Sequence, residues 1–261
     1  MIAKKYRPLE KIGEGTFCVV FKGENVRTNE LVAIKFGNAK SMFLLKHETT
    51  ILNYLYHHGC LNVPTIYWYG IYKSVPILVT TLYDYSLTSR GKNVVHDSTF
   101  FNETVKKLLT TIQSVHNVSI IHRDIKPDNI MFKHNTPVFI DFGFAISCSH
   151  THVLHDKEDN DDKTNSVVVG SPKYASLNVH KGIATTKRDD MISLGYTFLY
   201  MLFGKLEWSD NLIASKSLTN IRRMSDDLTK SSEMMHDFEK TYFYLETCYQ
   251  LSLNEEPVYR F

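Results

Sequence analysis

The chain has 261 residues, enough for one large domain or two lobes with cores of their own. A hydrophobic fraction of 43%, a charged fraction of 22% and a net charge of +2 suit a soluble globular protein and give no overall attraction to nucleic acid or membrane. No stretch reaches the roughly 18 uncharged apolar residues of a membrane span, and the N-terminus lacks the apolar core of a signal peptide. Cys18, Cys60, Cys148 and Cys248 are scattered with no C-x-x-C pair, so a reduced intracellular compartment, cytoplasmic or nuclear, is expected.

Residues 6–36 alternate short β-prone runs with turn residues. Leu9 to Ile12 leads into Gly13-Glu14-Gly15-Thr16-Phe17-Cys18, followed by Val19-Val20-Phe21, a turn near Asn25 to Glu30, and Leu31-Val32-Ala33-Ile34-Lys35. This reads as a small antiparallel sheet whose first hairpin has a glycine-rich tip. Glycines there let backbone N–H groups approach phosphates, although the same pattern alone is equally a tight turn. Residues 41–58 carry Phe43, Leu44, Ile51, Leu52 and Leu55 at helical spacing, with Glu48 on the same helix. Taken alone, Glu48 reads as a solvated surface glutamate. Tyr67 to Gly70 and Ile77 to Leu82 are two further strand candidates. A polar loop over Ser86 to Ser98 precedes a helix over Phe100 to Asn117, whose Val105, Leu108, Leu109, Ile112 and Val115 form a core face.

The stretch from Ile120 to Gly143 carries the chemistry. His122-Arg123-Asp124 follows the apolar pair Ile120-Ile121, Lys126 and Asn129 come next, and the apolar run Val138 to Ile140 ends on Asp141. One carboxylate with the amide can hold Mg²⁺, the other carboxylate can take a proton, and the lysine can offset developing charge.

H-R-D-x-K-x-x-N followed by D-F-G resembles the catalytic core of eukaryotic-type protein kinases. The glycine loop, V-A-I-K and the helix glutamate stand in the order that this family uses. The resemblance implies an α+β, bilobal fold. A small antiparallel β-sheet N-lobe with one main helix would span residues 1–83, and a larger, mainly α-helical C-lobe residues 84–261. It implies ATP and Mg²⁺ as cofactors, held by Ile12, Gly13, Gly15, Val20 and Ala33, with Lys35 paired to Glu48. Thr80 would be the gatekeeper, and the Leu82 and Tyr83 backbone would bond the adenine. Asp124 would act as base, Lys126 would neutralise the transferring group, and Asn129 and Asp141 would ligate Mg²⁺. A lysine at position 126 is typical of Ser/Thr kinases. Cys18 stands where the family usually has a third glycine, which should stiffen the loop tip and place a thiol near the phosphates.

Gly170-Ser171-Pro172-Lys173-Tyr174-Ala175-Ser176-Leu177-Asn178 lacks the family's A-P-E. It resembles the G-T-x-R-Y-A-S-x-N segment of the casein kinase 1 group, and the match continues through Arg188-Asp189-Asp190 to Trp208. By that resemblance Ser171 bridges the catalytic aspartate and lysine, and Asp190 is a buried carboxylate steadying the catalytic loop. Lys173 and Lys216 would serve acidic or phosphorylated protein substrates with Ser/Thr acceptors. Lys187, Arg188, Arg222 and Arg223 either extend that basic surface or form a solvated face. No nucleic acid or membrane partner is expected, and a monomer is. The chain ends soon after Tyr259, which the resemblance reads as a compact, divergent member of the kind found in viruses or parasites.

Asp156 to Lys163 holds five acids against two lysines. It reads as a solvated loop or, more sharply, as a mimic of acidic substrate lying near Lys173. Cys148, His150, His152 and His155 fit no common zinc spacing. Two other functions stand beside the kinase. A pseudokinase scaffold predicts loss of Lys35, Asp124, Asn129 or Asp141, and all four are present. A small-molecule kinase is not expected to keep the Gly170 to Asn178 segment.

Overall fold

The computed structural model describes residues 1–38, 41–91, 97–148, 168–208, 216–227 and 232–261. The acidic run Asp156 to Lys163 and the histidines His150, His152 and His155 lie outside them. Strands β1 (Tyr6–Glu14), β2 (Cys18–Asn25), β3 (Glu30–Gly37), β4 (Ile66–Tyr72) and β5 (Val75–Thr81) form one antiparallel sheet in the order β1-β2-β3-β5-β4. Val32, Ile34, Ile77 and Val79 alternate inward along β3 and β5 and close a small core with Ile2 and Tyr6.

Helix α1 (Met42–His57) lies between β3 and β4 in the chain. Its buried stripe is Leu45, Glu48, Ile51, Leu52 and Leu55, the period of one helix face. Phe43, expected on that face, is 76% exposed, because the period that includes Ile51 and Leu55 turns position 43 outward.

The remainder is mainly helical. The two-residue strand β6 (Tyr85–Ser86) leads into a short helix α2 (Leu87–Gly91) inside the expected polar loop. Reciprocal bonds explain it: Ser86 Oγ accepts the Ser89 N–H and Ser89 Oγ accepts the Ser86 N–H, both at 3.0 Å. Helix α3 (Ser98–Asn117) is capped by Asp97, which accepts the Phe100 N–H at 2.9 Å. Then come β7 (Ile120–Ile121), β8 (Ile130–Lys133), β9 (Thr136–Phe139) and β10 (Ile146–Ser147). Helices α4 (Leu177–His180), α5 (Lys187–Phe203), α6 (Leu218–Arg223) and α7 (Ser232–Gln250) follow. Helix α5 is apolar nearly all round and forms the centre of the large core, where Met191, Ile192, Leu194, Tyr196, Phe198 and Leu199 are buried. A capping box of Thr186 and Asp189 starts it, and Gly204 at φ +70° ends it.

Candidate active site

The catalytic stretch is a chain of elements too short to stand alone. β7 pairs with β10, β6 with β8, and β8 with β9. In the β8–β9 hairpin Ile130 faces Phe139, and the Ile140 N–H donates to the Asn129 carbonyl at 2.9 Å. Asn129 and Asp141 therefore leave the same end of one hairpin.

Asp190 on α5 anchors the loop before it. Its Oδ2 accepts the His122 N–H at 2.7 Å, and its Oδ1 accepts the Arg123 N–H at 2.9 Å. His116 Nε2 lies 3.0 Å from the same Oδ2. These bonds hold Arg123 in the left-handed region at φ +66°, a conformation non-glycine residues seldom adopt. Burial alone would raise the Asp190 carboxyl, but the bond and charge of His116, with His122, hold it below the ordinary carboxylate value. His122 Nδ1 accepts the Asp124 N–H at 3.3 Å, which leaves Nε2 as the donor to the Ile140 carbonyl at 3.1 Å. One imidazole thus ties the loop of Asp124 to the strand that delivers Asp141.

Asp124 is buried. Its Oδ2 accepts from Lys126 Nζ and from Asn129 Nδ2, each at 2.9 Å. Its Oδ1 is buried with no hydrogen-bond partner among the described residues. A buried carboxylate oxygen in that state is costly, and such an atom marks a place where a ligand hydroxyl belongs. Lys126 Nζ also donates to Ser171 Oγ at 2.7 Å, so the lysine bridges Asp124 and Ser171.

Asn129 Nδ2 donates to the Asp124 carbonyl as well, at 2.9 Å, leaving Oδ1 as the amide atom free to face a cation. Asp141 sits at φ +66°. Two hard oxygen donors at one hairpin end fit a divalent cation such as Mg²⁺.

On the sheet side, Lys35 Nζ meets Glu48 Oε1 at 2.6 Å. Glu48 is held in by its place in the apolar stripe of α1, so it is not the solvated glutamate of the alternative reading. Burial opposes the charge on Lys35, yet Glu48 and then Asp141 outweigh it and hold the ammonium above the ordinary lysine range. Cross-strand pairing of Val20 with Lys35, Lys35 with Leu78 and Ala33 with Thr80 sets Val20, Ala33, Lys35 and Thr80 on one face of the sheet. A Cβ built on Gly15 would meet nothing within 4 Å, and one on Gly13 only Val20 Cβ at 3.8 Å. Packing within the protein does not require these glycines, and the open space above them suits a phosphate-bearing ligand close to the backbone. Ile12, on β1 beside Gly13, is exposed. Leu82 and Tyr83 follow β5 directly; the Leu82 carbonyl accepts Lys133 Nζ at 3.1 Å, and burial pushes the Tyr83 phenol up. The Cys18 thiol lies half-buried in the field of Lys35, Asp141 and Glu48, and burial raises it.

Three elements meet just after D-F-G. Phe17 of the glycine loop packs edge-on against Phe144 at 6.0 Å, Arg123 Nε donates to the Phe144 carbonyl at 2.6 Å, and His47 Nε2 donates to the Ala145 carbonyl at 2.7 Å. His47 is missed by sequence reasoning, because a histidine beside a glutamate has no pattern of its own.

The Ser171 to Asn178 segment is held from below. Trp208 Nε1 donates to the Lys173 carbonyl at 2.8 Å, Ser176 Oγ donates to Asp189 Oδ1 at 2.5 Å, and the Leu177 N–H donates to Tyr249 Oη at 3.3 Å. The Asn178 amide faces Arg188, and with its oxygen on that side it accepts from Nε at 3.2 Å and Nη2 at 3.1 Å. Among the described residues no hydrogen bond or ion pair engages the Lys173 ammonium, which is partly exposed.

Two expectations are corrected here. Lys216 is not a surface residue available to substrate: it is 1% exposed, and its ammonium is turned inward onto the Pro172 and Ala175 carbonyls. Arg188 adds nothing to a basic surface, being buried with its Nη1 on the Leu251 carbonyl at 3.0 Å. Lys187 and Arg222 are neutralised by Glu256 and Glu239, each at 2.6 Å.

The sequence profile of the protein kinase domain family matches residues 6–255. In fold the chain is similar to a solved structure of vaccinia related kinase 3, with a TM-score of 0.68 and 16% identity. The alignment covers 97% of this chain and 83% of that one.

Proposed function

The chain belongs to the protein kinase domain family, and we propose that it transfers the γ-phosphoryl group of ATP to serine and threonine hydroxyls of proteins. The observation that carries this reading is the bridge from Asp124 through Lys126 to Ser171, beside a buried Asp124 oxygen without a partner.

Phosphoryl transfer asks a protein mainly to position groups and to meet charge. Asp124 Oδ1 would accept the proton of the incoming hydroxyl and orient its oxygen. Lys126, already fixed by two acceptors, would offset charge on the transferring group. Lys35, held by Glu48, would reach the α- and β-phosphates beneath the Gly13 and Gly15 backbone. The Leu82 and Tyr83 backbone would read the adenine, with Thr80 and Ala33 shaping its pocket. Mg²⁺ bound by Asn129 and Asp141 would neutralise phosphate charge.

We further assign the chain to the casein kinase 1 group, on the segment from Gly170 to Asn178, with a preference for acidic or primed substrates met by Lys173. A monomer in a reducing compartment accords with four free cysteines.

The test is transfer of labelled phosphate from ATP to casein and to primed and unprimed peptides, with Asp124→Asn alongside. Incorporation on Ser or Thr by the wild type, lost in the variant, is the expected result. Retained ATP binding without any transfer would replace this reading with that of a nucleotide-binding scaffold.

A further inference from the structure

A lysine in a protein interior is costly unless its donors are met. Lys216 meets them on one short segment. Its Nζ lies 2.5 Å from the Pro172 carbonyl, 2.8 Å from the Ala175 carbonyl and 2.9 Å from His180 Nε2, and 5.6 Å from the centre of the Tyr196 ring. His180 Nε2 also lies 3.0 Å from the Pro172 carbonyl, so Lys216 and His180 converge on that one oxygen. Trp208 takes the carbonyl between, that of Lys173, at 2.8 Å. The carbonyls of residues 172, 173 and 175 are therefore all drawn into the protein from one side.

That leaves the other side of the segment to present Ser171 and the Lys173 side chain. Ser171 Oγ is the atom that Lys126 holds, at 2.7 Å. We propose that Lys216 is a positioning residue for the peptide substrate. By gathering the Pro172 and Ala175 carbonyls, it sets the backbone of residues 171–175 so that Ser171 reaches Lys126 and Lys173 faces the incoming chain. This rests on the protein kinase reading above. It replaces direct contact between Lys216 and substrate with an action through the shelf beneath it.

A methionine at 216 keeps much of the length but offers no donor, so the Ala175 carbonyl loses its partner, the Pro172 carbonyl keeps only His180 Nε2 at 3.0 Å, and the shelf relaxes. The full chain, Lys216→Met, Lys216→Arg and Trp208→Phe are compared with an acidic serine peptide, varying peptide and ATP separately. Lys216→Met should raise the peptide KM about tenfold with the ATP KM within about twofold, the split that marks lost substrate positioning. Lys216→Arg, which keeps donors, should recover part of that loss. Trp208→Phe, which frees the Lys173 carbonyl and perturbs packing least, should move the peptide KM the same way even if Lys216→Met fails to fold. An unchanged peptide KM in Trp208→Phe and in the folded Lys216 variants would overturn the proposal, as would equal rises in both KM values. A wild type that binds ATP and transfers nothing would instead overturn the kinase reading itself.

Discussion

Gly170 lies against the carboxylate of Asp124 with its backbone in the left-handed region, at φ +88°. A Cβ at this position would come within 2.3 Å of the Arg123 carbonyl oxygen and 3.3 Å of Asp124 Oδ1. Any side chain would push the catalytic loop aside at its one buried oxygen without a described partner. Gly170→Ala should lower kcat by about 100-fold, the scale on which an ångström of misplacement is felt. Binding of an ATP analogue, followed by calorimetry, should be retained; loss of both together would place the damage elsewhere.

Lys35→Met leaves Glu48 facing no cation in the middle of an apolar stripe. Burial already raises the Glu48 carboxyl above its ordinary value of 4.5, with Lys35 pulling it back, so the variant should take up a proton rather than bury a bare charge. The cost to stability should then be about 1–3 kcal/mol rather than more. Lys35→Met with Glu48→Gln should regain stability in urea unfolding and regain no transfer. In the wild type the raised Glu48 carboxyl predicts an acidic limb of the pH–rate profile that begins above pH 4.5.

Asp190 predicts the opposite sign for stability. Its folded carboxyl is held below the ordinary aspartate value of 3.8, so the unfolded chain takes the proton more readily. The stability it contributes is fully present above pH 3.8 and is lost as pH falls through its lower folded value. Asp190→Asn should cost about 2–4 kcal/mol at neutral pH, since it disturbs two backbone bonds and the His116 contact. Urea unfolding at pH 7 and pH 3 should show the gap between wild type and variant narrowing in acid.

Cys18 should be a slow thiol. Burial outweighs the pull of Lys35 and raises it, so little thiolate forms near neutrality. Alkylation should run at least about tenfold slower than for free cysteine, and MgATP should slow it further if the nucleotide lies beneath the loop. Cys18→Gly, which puts a glycine into β2, should lower stability by about 0.5–1 kcal/mol in thermal unfolding.

Much of this fold is legible in the sequence because its signals are local. The run Leu31 to Lys35 and the period of residues 41–58 place a strand and a helix without outside help. Glu48 shows where local reading stops: its type says surface, and only the stripe of Leu45, Ile51 and Leu55 says interior. Helix α2 hides in a polar run because serine pairs, not apolar spacing, hold its first turn. Lys216 and His47 are illegible for a further reason. Their partners lie 36 to 44 and 98 residues away in sequence, and no pattern around either residue announces a contact of that span.

The bond from Trp208 to the Lys173 carbonyl also makes the molecule self-reporting. The chain has two tryptophans, and the other, Trp68, sits on β4 in the sheet. With Trp68→Phe, all remaining indole emission would come from a ring 1% exposed and bonded to the floor of the peptide shelf. Ligands that move the shelf would then shift the colour of that emission, and ligands confined to the nucleotide face would leave it alone. Inhibitors could be sorted by mode of action in a fluorimeter, with no label attached.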